Sequence, residues 1–368
     1  MRVHQLGHGL IPGDAISHHV LEIDRRMQAW GFETTIFAGH VHPEYRSLAQ
    51  DDERFSAYLH AADDLLFYHY SIYDLNYRLF RSFKGRKVLI YHNITPARFF
   101  RKWDASLAAL CDTGRRILPE LRDCDLALGD SDFNRRELLD LGFDPGRSGV
   151  LPVFLSQESF EQTPANPTLL EQLRRSGGAN LLSVGRIVPS KAVEDLIRIF
   201  YVYHGAIDPL AHLYLVGSRY VAAYDEQLDA LLAALGLQDH VTFTGLVPGA
   251  DLKAYYQAAD VYLHASRHEG FCVPLVESMY FGVPILARKA AAVPETLGDA
   301  GILFTRLGYE QVAEMVHVLT TDRTLRAQVI ARQRERLGEF CPARVETRLR
   351  EVLARLDIRP PQETRVHA

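Results

Sequence analysis

The chain alternates short β-branched and aromatic runs with helix-period stretches almost from end to end, in two rounds. "MRVHQL" (1–6) reads as a strand and "GHGLIPGD" (7–14) as a glycine-rich turn. A helix follows in which Ile16, Val20, Ile23, Met27 and Trp30 recur at steps of three or four before Gly31. "ETTIFAG", "LLFYHY", "KVLIYHN" and "DLALGDS" read as further strands. After the last, Ser131 or Asp132 can cap the helix "FNRRELLDLG". The second round runs "ANLLSVG", "AHLYLVG", "VTFTG", "DVYLHAS" and "VPILA", with helical text between them. Strands alternating with helices predict parallel sheets covered on both faces. The expected fold is α/β: two doubly wound Rossmann-like domains facing across a cleft.

A chain of 368 residues is long enough for two such cores. Between the rounds the text turns polar, with two prolines and a glycine pair at 177–178. The expected division is an N-terminal domain at 1–160, a linker at 161–178 and a C-terminal domain at 179–340. The end, 341–368, is expected to be a helix that can pack back on the first domain, and then a frayed tail, "RPPQETRVHA". A net charge of −5 gives no reason to expect nucleic-acid binding. Four scattered cysteines without CxxC spacing fit reduced thiols. The opening residues lack the apolar stretch of a signal peptide, and no run of about 18 apolar residues occurs. A cytoplasmic location is therefore expected.

In doubly wound sheets, ligands sit at the carboxyl ends of strands. Polar residues and glycines gather there: Gly7 to Asp14, His92 and Asn93, Asp130 and Ser131, Gly185 and Arg186, Gly217, and Ser266 to Gly270. In "SVGRIVPSK", Arg186 and Lys191 place two cations near a helix start, as a diphosphate requires. In "HEGFCVPLVES", Gly270 permits close backbone approach and Pro274 suits a first helical turn. The helix is expected to start near Val273 to Leu275, with Glu277 in its first turn, where the macrodipole favours a carboxylate. A solvated loop position for Glu269 and a plain helix-start position for Glu277 are the alternatives.

The stretch 268–304 resembles the signature of retaining glycosyltransferases of family 4 (glycosyl transferases group 1), which have the GT-B fold. The matching residues are Glu269, Gly270-Phe271, Glu277 and Gly282-Val283-Pro284, with Arg186 and Lys191 in the family's phosphate motif and Leu215 to Gly217 in its "LVG" strand. The resemblance implies that Arg186 and Lys191, beside Gly185 and Gly217, neutralise the diphosphate of a nucleotide-sugar (NDP-sugar) donor. It implies that Glu277 holds the ribose. Glu269 would hold the donor hexose beside Gly270, Phe271, Cys272 and Val273, with Pro274 and Leu275 shaping the turn. On the acceptor side it implies Gly13 and Asp14 in a glycine loop and His92 near the reacting sugar. The implied catalytic set is Glu269, His92, Arg186 and Lys191. The implied reaction moves a hexose, with retention, to a hydroxyl of a glycan or lipid-linked acceptor in polysaccharide or glycolipid assembly.

No obligatory cofactor and no metal are expected. "DCD" (123–125) and "DSD" (130–132) spell a metal-binding tripeptide, yet Asp125 suits a strand start and Ser131 or Asp132 a helix cap. Glycines at 7, 9 and 13 do not have dinucleotide spacing. Residues 78–122 carry eleven Lys/Arg against three Asp/Glu, and "RFFRKW" (98–103) interleaves aromatics with cations. Peripheral contact of this segment with the inner face of a membrane, or a solvated basic face, both fit. A non-catalytic sugar-nucleotide or glycan-binding subunit and a GT-B-fold epimerase stay open as rivals. A glycosidase does not fit, because Gly270 and Pro274 break the run between the two glutamates.

Overall fold

The computed structural model describes residues 1–155, 157–306 and 308–361. The expected frayed tail lies, from residue 362 on, outside the described residues. The chain divides into two compact units: residues 1–97, 106–154 and 341–368 in the first, 98–105 and 155–340 in the second.

The first unit holds β1 (Arg2–Leu10), α1 (Ala15–Ala29), β2 (Glu33–Val41), β3 (Ala49–Asp51), β4 (Leu65–Tyr70), α2 (Asn76–Ser82) and β5 (Arg86–Tyr91). After these come α3 (Ala105–Ile117), β6 (Leu126–Gly129), α4 (Asp132–Asp140) and β7 (Ser148–Val150). Its seven strands are parallel, in the order β3-β2-β1-β4-β5-β6-β7. The order reverses between β1 and β4, so those two strand ends flank a switch point. Ile23 and Met27 of α1, with Trp30 just after it, join Leu65, Phe67, Val88 and Ile90 in one buried cluster. Ser131, of the two expected candidates, caps α4 by accepting from the Asn134 N–H.

The first strand corrects the expected turn at 7–14. β1 continues through "GHGL" to Leu10, with Gly7 opposite Ala38 and His69, and Leu10 opposite Val41. A Cβ on Gly9 would lie 3.3 Å from the His40 carbonyl oxygen. These glycines admit a neighbouring strand, and the turn itself starts only at Ile11.

The second unit holds α5 (Gln157–Gln162), α6 (Pro167–Arg174), β8 (Asn180–Val184), α7 (Val193–Ala206), β9 (His212–Val216), α8 (Ala222–Leu235), β10 (Val241–Gly245) and α9 (Gly249–Ala258). It goes on with β11 (Val261–His264), α10 (Val273–Phe281), β12 (Ile285–Arg288), α11 (Val293–Leu297), β13 (Ile302–Phe304), α12 (Tyr309–Thr321) and α13 (Arg323–Leu337). The six strands are again parallel, ordered β10-β9-β8-β11-β12-β13, with the switch point between β8 and β11. After α13 the chain re-enters the first unit with α14 (Pro342–Arg355), whose Val345, Leu349, Val352 and Leu353 join that unit's buried cluster.

The expected linker at 161–178 is folded instead. Asn166 caps α6 and donates from Nδ2 to Asp251, while the Lys253 ammonium donates to the Phe160 and Thr163 carbonyls. Asn166 and the Thr163 carbonyl are bonded to α9, while the other polar side chains, such as Glu161, Glu171 and Arg174, face water. The basic stretch 78–122 is also not one face: residues 98–105 belong to the second unit, where Phe100 is buried and Trp103 packs edge-on to Tyr224. Among the described residues no helix is long and apolar enough to cross a membrane.

Candidate active site

The second unit gathers its unusual residues around the β8/β11 switch point. Gly185 turns the chain out of β8, and Gly217, at the end of β9, has a φ of +146°. A Cβ on Gly217 would lie 2.1 Å from the Gly185 carbonyl oxygen, so only glycine fits there. Beyond the turn Arg186 is exposed, its guanidinium carbon 5.9 Å from the centre of the Tyr220 ring. A small pocket here is lined by Ser183, Gly185, Arg186, Lys191, His264 and Ser266 among others.

Lys191 ends the short turn before α7, and its ammonium sits 2.6 and 2.7 Å from the two carboxylate oxygens of Glu269. Glu269 Oε1 also lies 3.0 Å from His264 Nε2, at the end of β11. Glu269 is buried, so it is not the solvated loop residue of the alternative reading. Burial alone would push its pKa up; the Lys191 charge and the His264 hydrogen bond outweigh that and hold the carboxyl well below the usual range. An ammonium has three donors, so Lys191 keeps one N–H beyond its two bonds to Glu269.

This pairing has an acid signature. A depressed folded-state pKa means that the stability contributed by Glu269 is present above its ordinary value of 4.5 and is lost as pH falls below it. Glu269→Gln is expected to lower stability by about 3 kcal/mol at neutral pH, as breaking a buried ion pair does. Urea unfolding should show the gap from the wild type narrowing steadily in acid. A gap independent of pH would mean that the ion pair contributes nothing.

Helix α10 starts at Val273, with Cys272 before it in a left-handed conformation at φ +76° and Pro274 in the first turn. Glu277 is the fifth helical residue, which corrects its expected place in the first turn. What holds it is a hydrogen bond donated by the Tyr256 hydroxyl of α9, 2.7 Å from Oε2. Burial pushes Glu277 up to about 7, and the Tyr256 bond works against that rise. The two glutamates of the motif thus sit in opposite electrostatic settings, one beside a cation and one beside a phenol.

His264, Glu269 and Cys272 bring a nitrogen, an oxygen and a sulfur within 4.8 Å of one another. Zinc takes such donors. In this structure the Lys191 ammonium spans both oxygens of Glu269, and burial pushes the Cys272 thiol well up.

In the first unit Gly13 has a φ of +74°, and Asp14 caps α1 by accepting from the Ser17 N–H and hydroxyl, both at 2.9 Å. His92, just past β5, is buried with both ring nitrogens engaged: Nδ1 is 3.0 Å from Asp130 Oδ2 and Nε2 is 2.9 Å from His69 Nδ1. The structure therefore brings Lys191 and Glu269 together, sets Glu277 on a tyrosine, and joins His92 to Asp130, another strand-end residue of the sequence reading, and to His69, which that reading did not name. His264 and Tyr256 were missed as well. His264 carried a signal, ending a strand five residues before Glu269; Tyr256 reads as an ordinary core residue of its helix.

Residues 169–336, within the second unit, match the family described as glycosyl transferases group 1. The chain is 27% identical over 230 residues to O-antigen chain mannosyltransferase B of Escherichia coli, covering 59% of this chain and 57% of the relative. It is 27% identical over 231 residues to the GDP-mannose-dependent alpha-(1-6)-phosphatidylinositol monomannoside mannosyltransferase of Mycobacterium tuberculosis (strain CDC 1551 / Oshkosh), covering 58% and 59%. The alignments thus span less than two thirds of the length of these relatives. Among solved structures, Anabaena Alr3699/HepE in complex with UDP-glucose superposes with a TM-score of 0.75 at 17% identity, covering 96% of this chain and 99% of that one. Sucrose-phosphate synthase of Thermosynechococcus elongatus gives 0.74 at 18%, covering 97% and 99%. Family match, relatives and superpositions agree: residues 169–336 match the group 1 glycosyl transferases, and the chain has the GT-B fold.

Proposed function

We propose that this chain moves a hexose from an NDP-sugar to a hydroxyl of a glycan or lipid-linked acceptor, keeping the anomeric configuration. The observation that carries the reading is the Lys191–Glu269 pair at the β8/β11 switch point, which holds a cation and a hydroxyl acceptor side by side. Lys191 would turn its third N–H, and Arg186 its exposed guanidinium, to the diphosphate as negative charge grows on it. Gly185 and Gly217 would let the backbone approach that group. Glu269 would accept from hexose hydroxyls beside Gly270 to Val273, with Pro274 and Leu275 shaping the turn, and Glu277 would accept from the ribose. Gly13, Asp14 and His92 would serve the acceptor side.

Two of the relatives above are named as mannosyltransferases, one of them GDP-mannose-dependent, and one superposed structure holds UDP-glucose. These names support an NDP-sugar donor and glycan or glycolipid assembly. Four free cysteines suit a reducing cytoplasm. Within the first unit, membrane contact through 78–122 would use the exposed Arg78, Arg81, Lys84, Arg86, Arg116 and Arg122.

The test is a thermal-shift screen against UDP, GDP, ADP, TDP and their sugars. A ligand at a hundred times its Kd adds about 2.7 kcal/mol, or about 5 °C or more for a domain of this size. One nucleotide class is expected to give that shift and to lose it in Glu277→Ala. No shift with any of them would sink the donor reading and leave a glycan-binding subunit in its place.

A further inference from the structure

Gln5 of β1, His69 of β4, His92 after β5 and Asp130 after β6 form one buried hydrogen-bonded row across the first unit's sheet. The direction of the row is dictated from one end. Gln5 Nε2 lies 2.9 Å from the Val20 carbonyl oxygen of α1, which can only accept. Gln5 Oε1 is therefore the atom 2.9 Å from His69 Nε2, and it too can only accept. His69 thus carries its proton on Nε2. Burial drives His69 strongly to the neutral form, which leaves Nδ1 a bare lone pair. That lone pair lies 2.9 Å from His92 Nε2, which must donate to it. At the far end His92 Nδ1 faces Asp130 Oδ2 at 3.0 Å, where two lone pairs would repel.

Three hydrogen bonds need three protons, and two neutral imidazoles own two. The row closes with one proton more; a carboxylate faces His92 whereas only an amide oxygen faces His69, so the extra charge belongs between His92 Nδ1 and Asp130, and an imidazole is the more basic of those two group types. We infer that Gln5, His69 and Asp130 hold His92 as a doubly protonated imidazolium against an ionised Asp130. The other groups facing the row come from α1. His19 stands edge-on to the His69 and His92 rings at 6.0 and 5.7 Å, and its own burial keeps it neutral. His18 and Arg26 act on His19, with Arg26 paired to Glu22 and Glu346, and Asp24 faces Gln5.

The role, though not the proton, rests on the transferase reading. In that reading His92 serves the acceptor side, and its ion pair with Asp130 fixes the orientation of the ring. Gln5, His69 and Asp130 are then positioning residues for His92.

The test is nitrogen NMR of the histidine rings of the full chain at about pH 7.5, where an ordinary histidine is mostly neutral; the His92 signals are identified by their loss in His92→Gln. The wild type is expected to show both His92 nitrogens protonated. In Gln5→Leu, His69 can move its proton to Nδ1 and donate to His92, so two protons suffice and His92 is expected to lose one. Asp130→Asn is expected to lose it too. A wild-type His92 with a single protonated nitrogen overturns the inference, whether or not the variants fold. A folded Gln5→Leu that keeps both protons overturns the relay from Gln5. No donor or acceptor is needed, so absence of transferase activity leaves this result readable.

Discussion

Lys191→Ala is expected to lower sugar-transfer turnover by about 100-fold or more, the loss seen when one fixed donor to a developing oxyanion is removed. Arg323→Ala, at an exposed cation at the start of α13, is expected to leave turnover unchanged. Lys191 meets both oxygens of Glu269, so its removal acts twice. The proposed diphosphate loses a cation, and a buried carboxylate loses the charge that offsets its desolvation. Breaking such a pair costs about 3–5 kcal/mol of stability, so turnover has to be read per folded molecule. Lys191→Arg separates the two effects. A guanidinium keeps the charge beside Glu269 but presents it as a flat fork. It is expected to recover most of the stability and only part of the turnover. A folded Lys191→Ala with wild-type turnover would remove Lys191 from the chemistry.

The spacing of Glu269 and Glu277, the glycines at 185 and 217 and the strand alternation were legible in the sequence because each is a local demand. A tight strand exit needs glycine at its own position, and a parallel strand announces itself by its own apolar run. Partners were not legible. Lys191 meets Glu269 across 78 residues, and His92 meets Asp130 across 38, because β8 lies beside β11 and β5 beside both β4 and β6. Strand order decides those meetings, and the run of β1 through "GHGL" shows how a glycine-rich stretch can hide a strand. The polar text at 161–178 misled in the opposite sense. Asn166 and the Thr163 carbonyl are bonded to α9, a fact invisible without knowing which helix lies next to them.

Nucleotide affinity is expected to rise with pH between about 6 and 8, with Glu277 as the cause. In the free protein burial pushes this carboxyl up to about 7. Ribose hydroxyls donate to a carboxylate but lose an acceptor when it is protonated, so binding in mild acid must first expel a proton. That weakens affinity by up to about tenfold for each pH unit below the midpoint. Tyr256→Phe removes the one hydrogen bond that favours the charged form, so the midpoint should move higher and affinity at pH 7 should drop. Glu277→Gln should flatten the profile and lose about 1.5–3 kcal/mol of binding, the range for hydrogen bonds to charged groups. The unliganded protein should respond in the reverse direction. A folded-state pKa raised above 4.5 means the native state holds the proton more tightly, so the stability Glu277 contributes is full below 4.5 and falls as pH rises through about 7. An uncharged glutamine escapes that loss, so Glu277→Gln should be at least as stable as the wild type above pH 7 while binding nucleotide more weakly. A general loss of fold moves both quantities down together; opposite movement is the mark of a carboxylate kept buried for a ligand. Calorimetric affinities that stay flat from pH 6 to 8 in the wild type would place the ribose elsewhere.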